Sequence, residues 1–470
     1  MQPRTLYIHT IGCQMNVADS EQMAATLAPM GLRISPALES ADLIIVNTCS
    51  VRAKAEQKAF SVLGQLADLK RRRPDLIVGV AGCVAQQEGA RILQRAPHVD
   101  IVIGTRAIQR LSEHVRRVAE ERCRIVDVDL NIPFAENGTA ASAEGAPEKV
   151  CRFVTIMRGC DNFCAYCVVP YVRGREVSRP PEEILREIRE AVSSGAREVT
   201  LLGQNVNSYG QKEGLCTFPE LLACVNTIPG LNRIRFTTSH PKDLTADLLK
   251  CFARLDKLCP HIHLPVQSGS NRILRRMNRA YTREHYLDKV SELRDTCPEI
   301  AITSDMIVGF PGETEADFEL TLDLIRKVRF DGLFAFMYSD RPNAPACQFA
   351  EKVPDDVSRE RLHALLALQD GVTFARNSAL VGSLLEVLVE GAGKRSGFGS
   401  PATTEPAQWT GRTPGNKIVH LHAEPGAGRI GPGSLARVRI ERAMAHSLRG
   451  VVDDGAGADG TEKGGAHDAA

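Results

Sequence analysis

The sequence predicts an α/β protein made of an N-terminal Rossmann-like open parallel sheet, a central partial (βα)6 barrel and a small C-terminal antiparallel β-barrel. Three observations predict it. Short apolar runs alternate with helix-length segments over the first 130 residues, and a β-then-α alternation restarts at Cys151. The last patterned stretch then breaks into short strands punctuated by Gly and Pro. A chain of 470 residues is too long for one ordinary core. The expected division is 1–130, a linker at 131–149, 150–375, 376–445 and a disordered tail at 446–470.

In the first part the apolar runs are Leu6 to Thr10, Leu43 to Val46, Leu76 to Val80 and Ile101 to Ile103. Their continuity suits parallel strands covered on both faces. The stretch Phe134 to Lys149 is rich in Ala, Gly, Glu and Ser and has no period, as in an exposed linker. Beyond it, RFVTIM, EVTLL, RIRFTTS, HIHLPVQ, AITSDMIVGF and GLFAFMYS supply six strands. A helix at 181–194 carries Ile184, Leu185, Ile188 and Val192 on one face. A long helix is expected over Asp355 to Ala379, followed by the strands of the small barrel.

Composition narrows the function. With 43% hydrophobic and 24% charged residues the chain reads as a soluble globular protein, and no apolar run is long enough for a bilayer. The opening residues enter a strand pattern without the layout of a secretory leader, so a cytoplasmic protein with no membrane partner is expected. In that reducing setting, 14 cysteines point to metal binding or catalysis rather than disulfides. A net charge of +1 leaves any polyanion surface to local basic patches.

Cys160, Cys164 and Cys167 form a C-x3-C-x2-C loop after the first barrel strand. Three thiolates at this spacing suit three irons of a 4Fe-4S cube, leaving a fourth iron open to a chelating ligand. Structural zinc is the alternative, but it wants four ligands and no fourth lies nearby in sequence. A second set is dispersed: Cys13, Cys49 and Cys83 each follow a predicted parallel strand of the first part. Strand C-termini of an open sheet share one crevice, so these three are expected to converge as ligands of a second cluster. Cys123, Cys151, Cys216, Cys224, Cys251, Cys259, Cys297 and Cys347 lack such placement and are expected to pack as small apolar residues.

The cysteine loop, within RGCDNFCAYCVVPYVRGREVSRP, resembles that of the radical S-adenosylmethionine (SAM) superfamily. That resemblance implies SAM contacts from Tyr166 and from residues at strand ends: Gln204, Asn205, Ser239, Gln267, Ser268 and Asp305, with Arg279 close by. The same polar residues also suit ordinary turns and caps. Over roughly residues 5–445, TIGCQMNVADSE, CDNFCAYCVVPYVRGREVSRP, LLGQNVNSYG and TGRTPGNKIVH resemble the tRNA methylthiotransferase family.

The family resemblance implies two 4Fe-4S clusters and SAM as cofactors, with one SAM methylating a sulfur and another cleaved to a 5'-deoxyadenosyl radical. The implied reaction is 2-methylthiolation of N6-isopentenyladenosine, 3'-adjacent to the anticodon in tRNA. Reduced flavodoxin or ferredoxin is the implied electron donor, and a monomer is expected. The C-terminal barrel resembles the TRAM domain, which gives Lys394, Arg395, Arg412, Lys417, Arg437 and Arg439 as candidate contacts to the anticodon stem-loop. The same chemistry on threonylcarbamoyl-adenosine or on a ribosomal-protein aspartate stays open, as does a zinc-containing RNA-binding protein. The segment YSDRPNAPACQFA departs from the family pattern, with Asp340 and Asn343 where a small or proline residue and a glycine are expected.

Overall fold

The computed structural model describes residues 3–50, 53–132, 149–393, 408–422 and 430–453. The chain divides into two compact units, residues 1–369 and 370–470. Most of the expected linker falls outside the described residues. Among the described residues no helix is long and apolar enough to cross a membrane.

The first unit opens with six parallel strands: β1 (Thr5–Thr10), β2 (Arg33–Ile34), β3 (Leu43–Thr48), β4 (Ile77–Gly82), β5 (Ile101–Ile103) and β6 (Ile125–Asp127). Their order is β2-β1-β3-β4-β5-β6. Every residue of β3 and β4 is buried, which is why LIIVNT and IVGVAG read as unbroken apolar runs. The expected open sheet is present, with β2 and β6 added at its edges. The order reverses between β1 and β3, so the sheet's ligand crevice lies at their C-terminal ends. Cys13 and Cys49 follow those two strands.

The same unit continues with β7 (Cys151–Thr155), the short antiparallel pair β8 (Met157–Arg158) and β9 (Val177–Ser178), then β10 (Glu198–Leu202) and β11 (Arg233–Phe236). It closes with β12 (His261–His263), β13 (Ala301–Val308) and β14 (Gly332–Met337). Two parallel sheets, β11-β10-β7 and β12-β13-β14, meet at a bridge between Ile234 and Leu258. The expected partial barrel of six strands is therefore an open arc. Helices such as Pro181–Ser193 and Glu315–Val328 cover its outside, sharing a core with Ile184, Val199, Ile234, Ile302 and Phe318. Several are capped as their sequences dictate: Thr217, Thr245, Ser270, Thr282 and Thr314 each accept a backbone N–H of the first turn.

In the second unit, β15 (Leu384–Ala392), β16 (Gln408–Arg412), β17 (Ile418–His422), β18 (Leu435–Ala443) and β19 (Ser447–Val452) close a barrel in the order β15-β16-β17-β19-β18. The expectation of an antiparallel barrel needs correction, because β17 pairs with β19 in parallel. Five strands cannot alternate in direction around a closed ring, so one pairing must be parallel. Residues Ser447–Val452, expected in the tail, instead form a strand. Leu448 is fully buried among Val387, Val419 and Val438, and β19 completes the barrel.

Candidate active site

Each cysteine of the N-terminal set sits where a β-strand hands over to a helix. Cys13 is the N-cap of the helix Gln14–Leu27, Cys49 follows β3, and Cys83 opens the helix Cys83–Glu88. The backbone is shaped to bring them together. An added Cβ on Gly12 would fall 2.9 Å from the Cys49 Cβ, and Gly82 holds φ +88 with Thr48 O only 2.4 Å from where its Cβ would be. A hydrogen bond with the Cys49 thiol is the main cause that draws the Cys13 thiol down to about 6, against the opposing effect of burial. The charge of Arg173 adds to it. Burial pushes the Cys83 thiol up, while Arg173 opposes the rise by its charge and by a hydrogen bond. The three thiols are thus linked electrostatically through Cys13 and Arg173.

The second set lies on the loop clasped by β8 and β9. Cys160 N–H donates to Gly174 O at 3.3 Å and Cys167 N–H to Cys164 O at 2.9 Å. Ala165 N–H reaches Met277 O at 2.9 Å, and Gly159 N–H reaches Gln204 Oε1 at 2.6 Å. These bonds tie the loop to the end of β10 and to the segment after the helix Asn271–Arg276. Burial lifts the Cys160 thiol to about 11 and the Cys167 thiol to about 12, with repulsion from Cys164 contributing to both. Such thiols stay protonated until a bound cation displaces the proton, as a metal does. Among the described residues no three His, Cys, Asp or Glu side chains gather on one ion. A cube needs no such convergence, since each thiolate takes a different iron.

Arg279 ties this loop to the barrel. It donates through Nε to Tyr281 OH at 2.9 Å, through Nη2 to Pro265 O at 2.8 Å, and through Nη1 to Cys164 Sγ and Tyr166 OH, each at 3.4 Å. Around the ends of β10 and β11, Gln204 Nε2, Asn205 Oδ1, Ser239 Oγ and His240 Nε2 are buried and take no hydrogen-bond partner among the described residues. Buried polar atoms left this way cost free energy unless a ligand satisfies them. Asn205 Nδ2 is used internally, on Ser208 Oγ at 3.0 Å and Asp243 Oδ2 at 2.7 Å. Asp305 faces His263 Nε2 at 3.4 Å. Gln267 and Ser268 serve the turn after β12: Gln267 holds φ 74 and its N–H reaches Asp305 O, and Ser268 Oγ accepts from Ser270 N at 3.2 Å.

Comparison with known proteins identifies the family. Residues 5–104 match an uncharacterised protein family, UPF0004, and residues 154–325 match the radical SAM superfamily. A tRNA-2-methylthio-N(6)-dimethylallyladenosine synthase of Desulfosudis oleivorans is 56% identical, over 96% of this chain and 97% of that one. Synthases of the same name from Geobacter metallireducens and Geotalea uraniireducens are 52% and 49% identical, each over 96% of this chain and 98% and 99% of theirs. The chain belongs to the tRNA-2-methylthio-N(6)-dimethylallyladenosine synthase family. A radical SAM methyltransferase from Kitasatospora setae, solved with cobalamin and a [4Fe-4S] cluster, shares the fold at 14% identity. Its TM-score is 0.54, over 73% of this chain and 77% of that one.

In this synthase family member, sequence reasoning missed three neighbours of the site. His240 follows the predicted Ser239. Its Nδ1 accepts from Lys242 N at 3.3 Å, so a neutral ring carries its proton on Nε2. Burial, with the charges of Arg279 and Lys242, holds this imidazole down at about 2. His263 was hidden in the strand pattern HIH, and Asp19 in a helix. The loop that departs from the family pattern also comes close: Ala344 packs against Cys83 and Val172, and Asn343 takes φ 70, which asparagine tolerates where glycine was expected.

The six barrel cations divide. Lys394 and Arg395 lie outside the described residues. Arg412 binds Glu390 within the barrel at 3.0 Å, and Lys417 donates to Asn377 Oδ1 of the preceding helix at 2.9 Å, so both already serve the fold. Arg437 and Arg439 are exposed and alternate with buried Ala436, Val438 and Ile440 on β18. Two further arginines, Arg442 and Arg449, are also exposed and sit opposite each other in the β18–β19 register.

Proposed function

We propose that this protein converts N6-isopentenyladenosine, 3'-adjacent to the tRNA anticodon, to its 2-methylthio derivative. The observation that carries the reading is the pair of three-cysteine sets, one at strand C-termini of the open sheet and one on the loop after the first barrel strand. Cys160, Cys164 and Cys167 would hold one 4Fe-4S cluster, and Cys13, Cys49 and Cys83 the other. When bound, the loop cluster and SAM supply a 5'-deoxyadenosyl radical able to take hydrogen from adenine C2, and the second cluster supplies sulfur.

The chain's own groups position the reactants. Gln204, Asn205, Ser239 and His240 offer polar atoms to SAM, and Arg279 steadies the loop beside Tyr166. Phe334 stands 55% exposed on β14, opposite Asp305 in register and edge-on to His263, which makes it a stacking surface for an unstacked base. The exposed arginines of β18 and β19 suit tRNA phosphates. The substrate named for the related synthases favours the isopentenylated adenosine over threonylcarbamoyl-adenosine or a protein aspartate. A reduced flavodoxin or ferredoxin as donor rests on resemblance; a monomeric state and a cytoplasmic setting belong to the same reading.

The test is iron analysis of anaerobically reconstituted protein together with mass spectrometry of tRNA nucleosides from cells lacking and regaining the chain. The expected result is about eight irons, two cubes' worth, and restored 2-methylthio-isopentenyladenosine. Cys164→Ala abolishes SAM cleavage but keeps about four irons, while Cys49→Ala spares SAM cleavage and stops methylthiolation. Full methylthiolation by Cys49→Ala overturns the second cluster, and full iron without restored nucleoside overturns the substrate.

A further inference from the structure

One carboxylate is shared by two buried guanidiniums between the open sheet and the cysteine loop. Asp19 Oδ1 lies 3.2 Å from Arg158 Nη2, and Asp19 Oδ2 lies 2.7 Å from Arg173 Nη2. The Asp19 side chain is wholly buried and both arginine side chains are 4% exposed. Arg106 adds a third cation nearby; burial and repulsion from Arg158 and Arg173 bring it down to about 10. Two guanidiniums share this one carboxylate, with a third cation beside them, and buried positive charge is costly unless anions compensate it.

Both ends of the Asp19–Arg173 pair sit on segments that carry or pack against the N-terminal cysteines. Asp19 lies on the helix that Cys13 caps. Arg173 follows Val172, which packs on Cys83, and its charge favours the thiolates of Cys13 and Cys83. Thr105 Oγ1, at the far side of the same junction, donates to Val172 O at 2.6 Å and fixes the loop there. Arg173 belongs to the chain segment of the radical loop yet is buried on Asp19, on the helix that Cys13 caps, next to the Val172 that packs on Cys83.

We propose that Arg173 is a positioning residue for the N-terminal cysteine set: anchored by Asp19, its guanidinium compensates the negative charge of three thiolates and their cluster. The proposal rests on the reading that this set holds a cluster. A cation at this place favours the more reduced, more negative cluster and raises its midpoint potential. Asp19 opposes it, so the two substitutions must act with opposite sign.

The test uses the full chain with Cys160, Cys164 and Cys167 all replaced by Ala, so that iron can enter only the N-terminal set, and reads the midpoint by EPR-monitored titration. About four irons are expected in this parent. Arg173→Gln shifts the midpoint to more negative potential, Arg173→Lys restores most of the shift, and Asp19→Asn shifts it to more positive potential. Shifts of the same sign, or none, overturn the proposal while leaving the cluster in place, since a structural role alone gives no opposite signs. If Arg173→Gln takes up no iron, Asp19→Asn decides alone, and a midpoint that stays or falls overturns the proposal. A parent without iron overturns the cluster reading and this proposal with it.

Discussion

Arg279 places its Nη1 3.4 Å from the sulfur of Cys164, the middle cysteine of the radical loop, while its other nitrogens are held by Tyr281 OH and Pro265 O. A buried guanidinium at this distance fixes the direction of the sulfur. Hydrogen bonds to charged groups contribute about 1.5–3 kcal/mol each. Losing one is worth at least about tenfold in rate, since tenfold corresponds to about 1.4 kcal/mol. Arg279→Gln is therefore expected to slow reductive SAM cleavage at least about tenfold. Arg279→Lys recovers only part, because a point charge cannot span four acceptors. The check is 5'-deoxyadenosine formation, with iron in the N-terminal set as control; an unchanged rate would refute the role.

Gly82 makes a second prediction. At φ +88 its missing Cβ would lie 2.4 Å from both Asn47 Oδ1 and Thr48 O, the residues that lead into Cys49, and Cys83 follows it directly. Alanine combines left-handed strain with a backbone collision, a cost of about 2–4 kcal/mol. Gly82→Ala is expected to lower the melting temperature and to strip the N-terminal set of iron while the radical loop keeps its own. Equal loss from both sets in iron analysis would show a general folding defect instead.

What the sequence made legible follows from how far each signal reaches along the chain. The C-x3-C-x2-C loop and the fully buried runs of β3 and β4 are local patterns, and the strands formed where those runs lie. Cys13, Cys49 and Cys83 could be grouped from sequence because each follows a strand, so topology carries the long-range relation. The strands β2, β6, β8 and β9 are two or three residues long and carry no period to detect. The Asp19–Arg173 pair joins residues 154 apart in sequence, and no spacing rule reaches that far. His240 escaped notice because a lone polar residue after a strand looks like any turn. The parallel closure of the barrel was available from strand parity alone, once five strands were counted.

A third prediction concerns acid. Asp317 is nearly buried, and burial alone would raise its carboxyl; hydrogen bonds from Arg272, Ser270 and Thr314 outweigh that and hold it well below the ordinary range. A depressed folded value means the stabilisation is present above the unfolded value, about 3.9, and fades as pH falls below it. Asp317→Asn is expected to cost about 1–3 kcal/mol at neutral pH. The gap to the parent, followed by thermal unfolding, should be flat from about pH 5 to 8 and narrow only below about pH 4. A gap that already shrinks near pH 6 would assign the effect to another group.

The last prediction separates barrel cations that meet RNA from those that hold the barrel. Arg437 and Arg449 are exposed on β18 and β19. The exposed Arg439–Asp453 pair at 2.9 Å is worth little, so its guanidinium is easily released to a phosphate. Removing one cation that neutralises a phosphate flattens the dependence of log affinity on log salt by about 0.7–0.9. Arg437→Ala with Arg449→Ala should therefore weaken tRNA binding and flatten the salt slope by about 1.4–1.8, without changing the melting temperature. Arg412→Ala, which removes the ion pair to Glu390, should do the reverse: a lower melting temperature with the slope kept. Fluorescence-anisotropy titrations of tRNA across a salt series read the slope directly. If the double variant keeps the parent's slope, the outward face of β18 and β19 does not carry the RNA.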